Sequence, residues 1–144
     1  MPDPIPPPSA RDPAEALHLV SVAVSDGDLD AAVAQYEPGA VLRPWAGQPA
    51  AAPPGQPATA PLGVAGQLIP VLDLRLPLTL RTGPVLLADG LALVLGERRI
   101  AGAVPGPGRI QLHGAGATAL RRQPDGTWLI VTDAWCLAGA GQAG

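Results

Sequence analysis

Phenylalanine, lysine and asparagine are absent from this 144-residue chain, and cysteine occurs once. Aromatic residues make up only 3%, so any core must be built from Leu, Val, Ala and Ile. The three absent residues share AT-rich codons, which points to a GC-rich genome and a bacterial source. The lack of lysine is a base-composition effect before it is a functional one. A single Cys136 excludes an internal disulfide and a cysteine metal cluster. No run of apolar residues is long enough to span a bilayer, and the N-terminus has neither a basic nor an apolar leader segment. A cytoplasmic location is therefore the expectation.

Charge is also scarce. Net charge is −3 and all nine basic residues are arginine. Such a chain carries no electrostatic footprint for nucleic acid or an anionic membrane. No His/Cys/acid cluster occurs at metal-ligand spacing, and no Gly-rich loop stands between a strand and a helix to cradle phosphate. Gly102-Ala-Val-Pro-Gly-Pro-Gly108 has too many prolines to present a nest of N–H groups. No cofactor and no metal are expected.

What is present is best organised around the last third. Ala119–Gln123 and Thr127–Thr132 read as strands flanking Pro124-Asp125-Gly126. In that turn proline presets φ, aspartate bonds its own backbone and glycine supplies a positive φ. If Gln123 pairs with Thr127, partner numbers sum to 250, so Ala117 faces Asp133 and Ala115 faces Trp135. Asp133 then sits among small and apolar side chains on the odd-numbered face, where a cavity could open.

Earlier in the chain, residues 1–11 carry five prolines and read as a disordered tail. Asp12, Pro13 and Glu15 form a helix-start signal, and Ala16, Leu17, Val20, Ala23 and Val24 recur at helical spacing. Gly27 ends that helix and Asp28 caps a second, with Leu29, Ala32, Val33 and Tyr36 on one face until Pro38-Gly39. Ala40–Arg43 reads as a strand leading to Trp45. Residues 46–60 read as a long Pro/Ala loop, a lid or a disordered segment. A third helix is expected from about Gln67 to Leu74, with Pro70 in its first turn. Strands follow at Leu76–Thr82, Val85–Leu87, Leu91–Leu95 and Arg98–Ala101. Gly114-Ala-Gly116 marks a bulge or bend, and 139–144 read as a flexible end. Helices early and strands late give an α+β class: three N-terminal helices packed on a strongly curved, mainly antiparallel sheet.

Three stretches also resemble a known family. Ser25-Asp-Gly-Asp-Leu-Asp-Ala-Ala-Val-Ala-Gln-Tyr-Glu-Pro-Gly-Ala-Val-Leu42 resembles the opening of SnoaL-like, ketosteroid-isomerase-like proteins of the nuclear-transport-factor-like cone-fold superfamily. Asp89-Gly-Leu-Ala-Leu-Val94 is similar to that family's central strand, and Leu120–Asp133 to its closing hairpin. The resemblance spans roughly residues 12–138 as one domain. It implies a conical α+β barrel enclosing a pocket, a homodimer through the sheet, and chemistry ranging from isomerases and polyketide cyclases to epoxide hydrolases. The loop at 46–60, the loop at Pro105–Gly108 and Ala134-Trp135-Cys136 depart from the family pattern.

Asp133 is the leading candidate for chemistry, since a carboxylate deprived of water is a stronger proton acceptor and could act as a general base. The resemblance points the same way, because enzymatic members use an acid near this place in the last strand. The competing reading is that Asp133 bonds the backbone at a strand end. Asp73 and Arg75 could orient a water as an acid–arginine set, but read better as a solvated helix end. His113 shares the odd face yet stands about 13 Å along the strand from Asp133's row. His18 lies beside the apolar stripe of the first helix. Tyr36, Trp45, His113, Ala117, Val131 and Trp135 are the candidate pocket residues, with Tyr36 alternatively in the core and one of Trp128 and Trp135 facing a partner. Cys136 reads as an inert thiol.

Three functions follow. One is a pocket for a small apolar molecule, polyketide- or terpenoid-like. The second is an isomerase, cyclase or hydrolase with Asp133 as base. The third is a non-catalytic dimerising module. A second polar group at Asp133 would favour the enzyme, an apolar cavity with an isolated acid would favour binding, and a filled cavity with an exposed apolar sheet face would favour the module.

Overall fold

A computed structural model describes residues 8–47, 63–106 and 108–139. The expectations for residues 1–7 of the N-terminal stretch, for most of the 46–60 loop and for 140–144 lie outside the described residues. Two residues of the expected tail, Pro8 and Ala10, make contacts with the fold. Ala10 is buried, its carbonyl accepts from Trp128 N at 3.0 Å, and Pro8 O accepts from Gln35 Nε2 at 2.8 Å.

Helix α1 (Pro13–Asp26) starts as its residues dictate. Asp12 accepts from Glu15 N at 2.9 Å, while Glu15 reaches back to Arg11 N, one residue beyond the usual capping box. The predicted stripe of Ala16, Leu17, Val20, Ala23 and Val24 is buried, and Gly27 closes the helix in the left-handed region. Helix α2 (Leu29–Val33) stops earlier than expected. Tyr36 is not helical: it opens strand β1 (Tyr36–Trp45), four residues before the predicted strand. Helix α3 (Val64–Asp73) begins three residues before its expected start. Pro70 therefore stands in the second turn, where its missing N–H leaves the Gly66 carbonyl without its helical donor.

The four short strands expected next are two long ones, β2 (Leu78–Ala88) and β3 (Leu91–Ala103), followed by β4 (Arg109–Arg122) and β5 (Trp128–Gly139). The sheet order is β1-β5-β4-β3-β2, antiparallel except for the β1–β5 pair. Among the described residues the architecture is α+β, with a five-stranded mixed sheet and three helices. Helix α1 packs against β2, β3 and β5, α3 against β1, and α2 against α1 and α3; the buried sheet residues include Leu78 on β2, Ala92, Val94, Arg98 and Ile100 on β3, and Thr118 and Leu120 on β4. The opposite, odd-numbered face of β3 carries Leu91, Leu93 and Leu95, all exposed.

The hairpin turn works as predicted: Gln123 N donates to Thr127 O at 2.7 Å, Asp125 accepts from Thr127 N and Oγ1, and Gly126 takes φ 86°. These Thr127 bonds hold the Asp125 carboxyl below its ordinary range. Beyond the turn the register departs from expectation. Pairs sum to 250 through Leu120↔Ile130, and then slip by one, so that Ala119 pairs with Thr132 and Thr118 with Asp133. A β-bulge around Val131 causes the slip. Asp133 thus faces Thr118, not Ala117, and points to the helix-covered side. At Gly114-Ala-Gly116 the register with β3 is unbroken, and what the glycines permit is close approach of β5. A Cβ on Gly116 would overlap the Ala134 carbonyl and one on Gly114 the Trp135 carbonyl, because β5 closes onto β4 there.

Candidate functional site

The bulge brings five polar side chains together under α1. Asp133 is 3% exposed and Arg98 2%, a depth at which an unpaired charge is prohibitive. Arg98 Nη2 donates to Asp133 Oδ1 at 3.2 Å and to Thr118 Oγ1 at 2.5 Å. Thr118 Oγ1 donates on to Asp133 Oδ1 at 2.7 Å. The other carboxylate oxygen, Oδ2, accepts from Tyr36 Oη at 2.7 Å and Trp135 Nε1 at 2.8 Å. Four donors from β1, β3, β4 and β5 therefore converge on one carboxylate. A carboxylate offers about four acceptor positions, so little of this one remains for a substrate proton.

Each strand contributes for a local reason. Arg98 occupies an inward position in the even series Ala92, Val94, Gly96, Ile100, and its other terminal nitrogen donates to Gly96 O at 3.4 Å. Gly116 leaves the room its guanidinium needs, since a Cβ there would stand 3.0 Å from Arg98 Nη1. Tyr36 reaches the cluster because β1 begins where α2 was expected to continue. Trp135 follows Asp133 by two on the same strand face.

Burial, and then the negative charge of Asp133, hold the Tyr36 hydroxyl well above its ordinary value of 10.0. The folded state therefore retains a proton that the unfolded chain releases near pH 10. Stability from this source is complete below pH 10 and is lost as pH rises towards the folded value. Tyr36 is the only tyrosine and lysine is absent, so ultraviolet phenolate absorbance reports this group alone. Native protein should show no phenolate at pH 10.5, and alkaline unfolding and phenolate formation should coincide. Free titration of Tyr36 near pH 10 in folded protein would contradict the cluster.

The remaining sequence candidates disperse. Of the pocket set, only Tyr36 and Trp135 meet Asp133. Trp45 is half-buried at the far end of β1 opposite Leu137. His113 is exposed on β4, paired with Ala138 and Arg99. Ala117 and Val131 line depressions on the outer sheet face. Asp73 and Arg75 are exposed and border an open cleft with Ser25 and Asp26, and His18 is exposed on α1. Sequence reasoning missed Arg98 and Thr118. The signal for Arg98 was its place in an inward apolar alternation; Thr118 was hidden by the bulge.

The space beside the cluster is small. Leu17, Val20, Leu78, Leu80 and Ile130 close over Asp133, Arg98 and Trp135, leaving a void of about 10 Å³. That is the room of about one water.

No protein-family model matches the chain, and no curated protein matches it. Solved structures do. A conserved protein from Planctomyces limnophilus aligns at TM-score 0.68 and 14% identity, over 88% of this chain and 93% of that one. A ketosteroid isomerase-like protein from Erwinia carotovora aligns at 0.60 and 17%, over 89% and 93%. At these identities the likeness shows the fold alone. An NTF2-like protein of unknown function from Shewanella oneidensis, at TM-score 0.57 and 17% identity over 84% and 93%, is similar in the same way. Among the described residues the helices cover one face of the sheet and leave the other without helical cover. No helix among the described residues is long and apolar enough to cross a membrane.

Proposed function

We propose that this chain is a non-catalytic, self-pairing module of the NTF2-like fold, whose bare sheet face docks a second copy. One observation carries the reading: the outer face exposes large aliphatic side chains while the interior is filled. Leu86, Leu91, Leu93 and Leu95 are between 38% and 57% exposed, with Ala117, Ala119 and Val131 half-buried among them. Four leucines exposed to that degree leave about 300 Å² of apolar surface in water, the size of the largest patch on an ordinary monomer, which is often functional. A standard interface buries about 800 Å² per partner, so the leucines and their small neighbours supply a sufficient centre.

A pocket for a small apolar molecule beside Asp133 would require Leu17, Val20 and Leu80 to move apart, since the existing void is about 10 Å³. General-base chemistry at Asp133 is the second reading: polar groups do converge on one acid, but the bonds from Arg98, Thr118, Tyr36 and Trp135 occupy its acceptor positions. A substrate would first have to displace one of those donors.

Self-pairing links stability to concentration. The thermal midpoint of the wild-type chain should rise with protein concentration. Leu93→Glu, which places a charge on the outer face and leaves the interior untouched, should raise the dimer Kd by about a hundredfold or more. Its midpoint should be independent of concentration, with an unchanged far-ultraviolet dichroism spectrum. A wild-type midpoint that ignores concentration argues against pairing.

A further inference from the structure

Strand β2 is an edge of the sheet, paired with β3 on one side only. That pairing is continuous from Leu78↔Ile100 to Thr82↔Gly96. Ser25 on α1 shows which backbone groups turn away from β3. Leu78 N donates to the Ser25 hydroxyl at 3.0 Å, and that hydroxyl donates to Leu78 O at 3.3 Å. In an antiparallel pair every second residue turns both backbone groups the same way, so those of Leu80 and Thr82 also point outward. Arg81 points the other way: a Cβ on Gly96 of β3 would stand 2.9 Å from its carbonyl oxygen. Among the described residues nothing bonds the outward groups of Leu80 and Thr82. Beside them lies a groove of about 430 Å³, bounded by Leu80 and Thr82 on one side and by Asp12, Glu15, His18 and Ser21 on the other. Asp12 and Glu15 each commit one carboxylate oxygen to the start of α1. Their other oxygens have no partner among the described residues.

We propose that the free edge of β2 receives an extended, basic peptide segment of another protein, added as a further strand in the groove between β2 and α1. The backbone defines the shape of the occupant. Leu80 and Thr82 each present one N–H and one C=O, which only an extended chain can meet together. Charge defines its side chains, because the groove carries two acids and is lined by no arginine. Basic side chains turned towards α1 would meet the open oxygens of Asp12 and Glu15. Edges are ordinarily blunted by a proline, a bulge or a charge. On β2 the proline and the bulge come later, at Pro84 and between Thr82 and Val85, so the receptive run ends there. The site lies on the edge of the sheet rather than on its outer face, and it does not depend on self-pairing.

The probe is a fluorescent octapeptide of alternating arginine and threonine, acetylated and amidated, titrated with the full chain and read by anisotropy. Saturable binding is expected. Thr82→Pro should weaken it about tenfold or more, since proline removes an outward N–H and obstructs the added strand. No ladder bond uses that N–H, and proline is tolerated on a sheet edge, so far-ultraviolet dichroism should be unchanged. The same peptide N-methylated at every residue keeps its charges but cannot pair with the edge. Against wild type it should lose binding, a result that needs no folded variant. Glu15→Gln retains an acceptor for Arg11 N and should weaken binding with a shallower salt dependence. A glutamate–threonine octapeptide should bind at least about tenfold more weakly than the arginine one. No binding of the arginine peptide overturns the proposal. Equal binding by the N-methylated peptide, or by folded Thr82→Pro, means attraction by charge alone and overturns the edge. Equal binding by the glutamate peptide overturns the basic partner.

Discussion

Asp133→Leu should lower the unfolding free energy by about 3–5 kcal/mol, the usual cost of removing one partner from a buried ion pair. The substitution strands the Arg98 guanidinium, which is 2% exposed, and removes the acceptor of Tyr36, Thr118 and Trp135. Adding Arg98→Met to Asp133→Leu should recover part of the loss, because the unpaired charge is then gone. The remaining deficit reports the orphaned hydroxyls and indole. Denaturant unfolding of wild type, both single variants and the double variant gives the coupling directly. A residue held in place for catalysis behaves in the opposite way: its removal leaves stability unchanged or raises it by about 0.5–2 kcal/mol. Such a gain would restore Asp133 as a candidate base.

Gly116→Ala is the second large effect, expected at about 3 kcal/mol. The added methyl would meet the Ala134 carbonyl and crowd the Arg98 guanidinium. Neither neighbour is free to give way, since one is backbone and the other is pinned by Thr118 and Asp133. Gly139→Ala, which meets nothing within 4 Å, is the control and should be close to neutral by thermal melting. Equal effects at the two positions would mean that β5 does not close onto β4 as described.

These residues also show what the sequence could and could not disclose. The hairpin at Pro124-Asp125-Gly126 was legible because a three-residue turn states its own geometry through proline, the Asx bond and glycine. The slip at Val131 was not, because this bulge has no glycine and no side-chain marker; it is settled by packing on both sides of β5. That single residue changed Asp133's neighbours from alanines to Thr118, Arg98 and Tyr36. Tyr36 was misplaced for a related reason: its apolar spacing fits α2, but tertiary pairing with Ile130 draws it into β1. Leu91-Ala-Leu-Val-Leu95 held a signal that was legible in principle. A strand apolar on both faces expects cover on both faces, and the helices supply only one.

The most direct test of the account is the mass of the wild-type chain by sedimentation equilibrium at micromolar concentration. Self-pairing predicts twice the 14.5 kDa chain mass, falling to the single-chain value in Leu93→Glu. A single-chain mass for the wild type across the whole concentration range would contradict it.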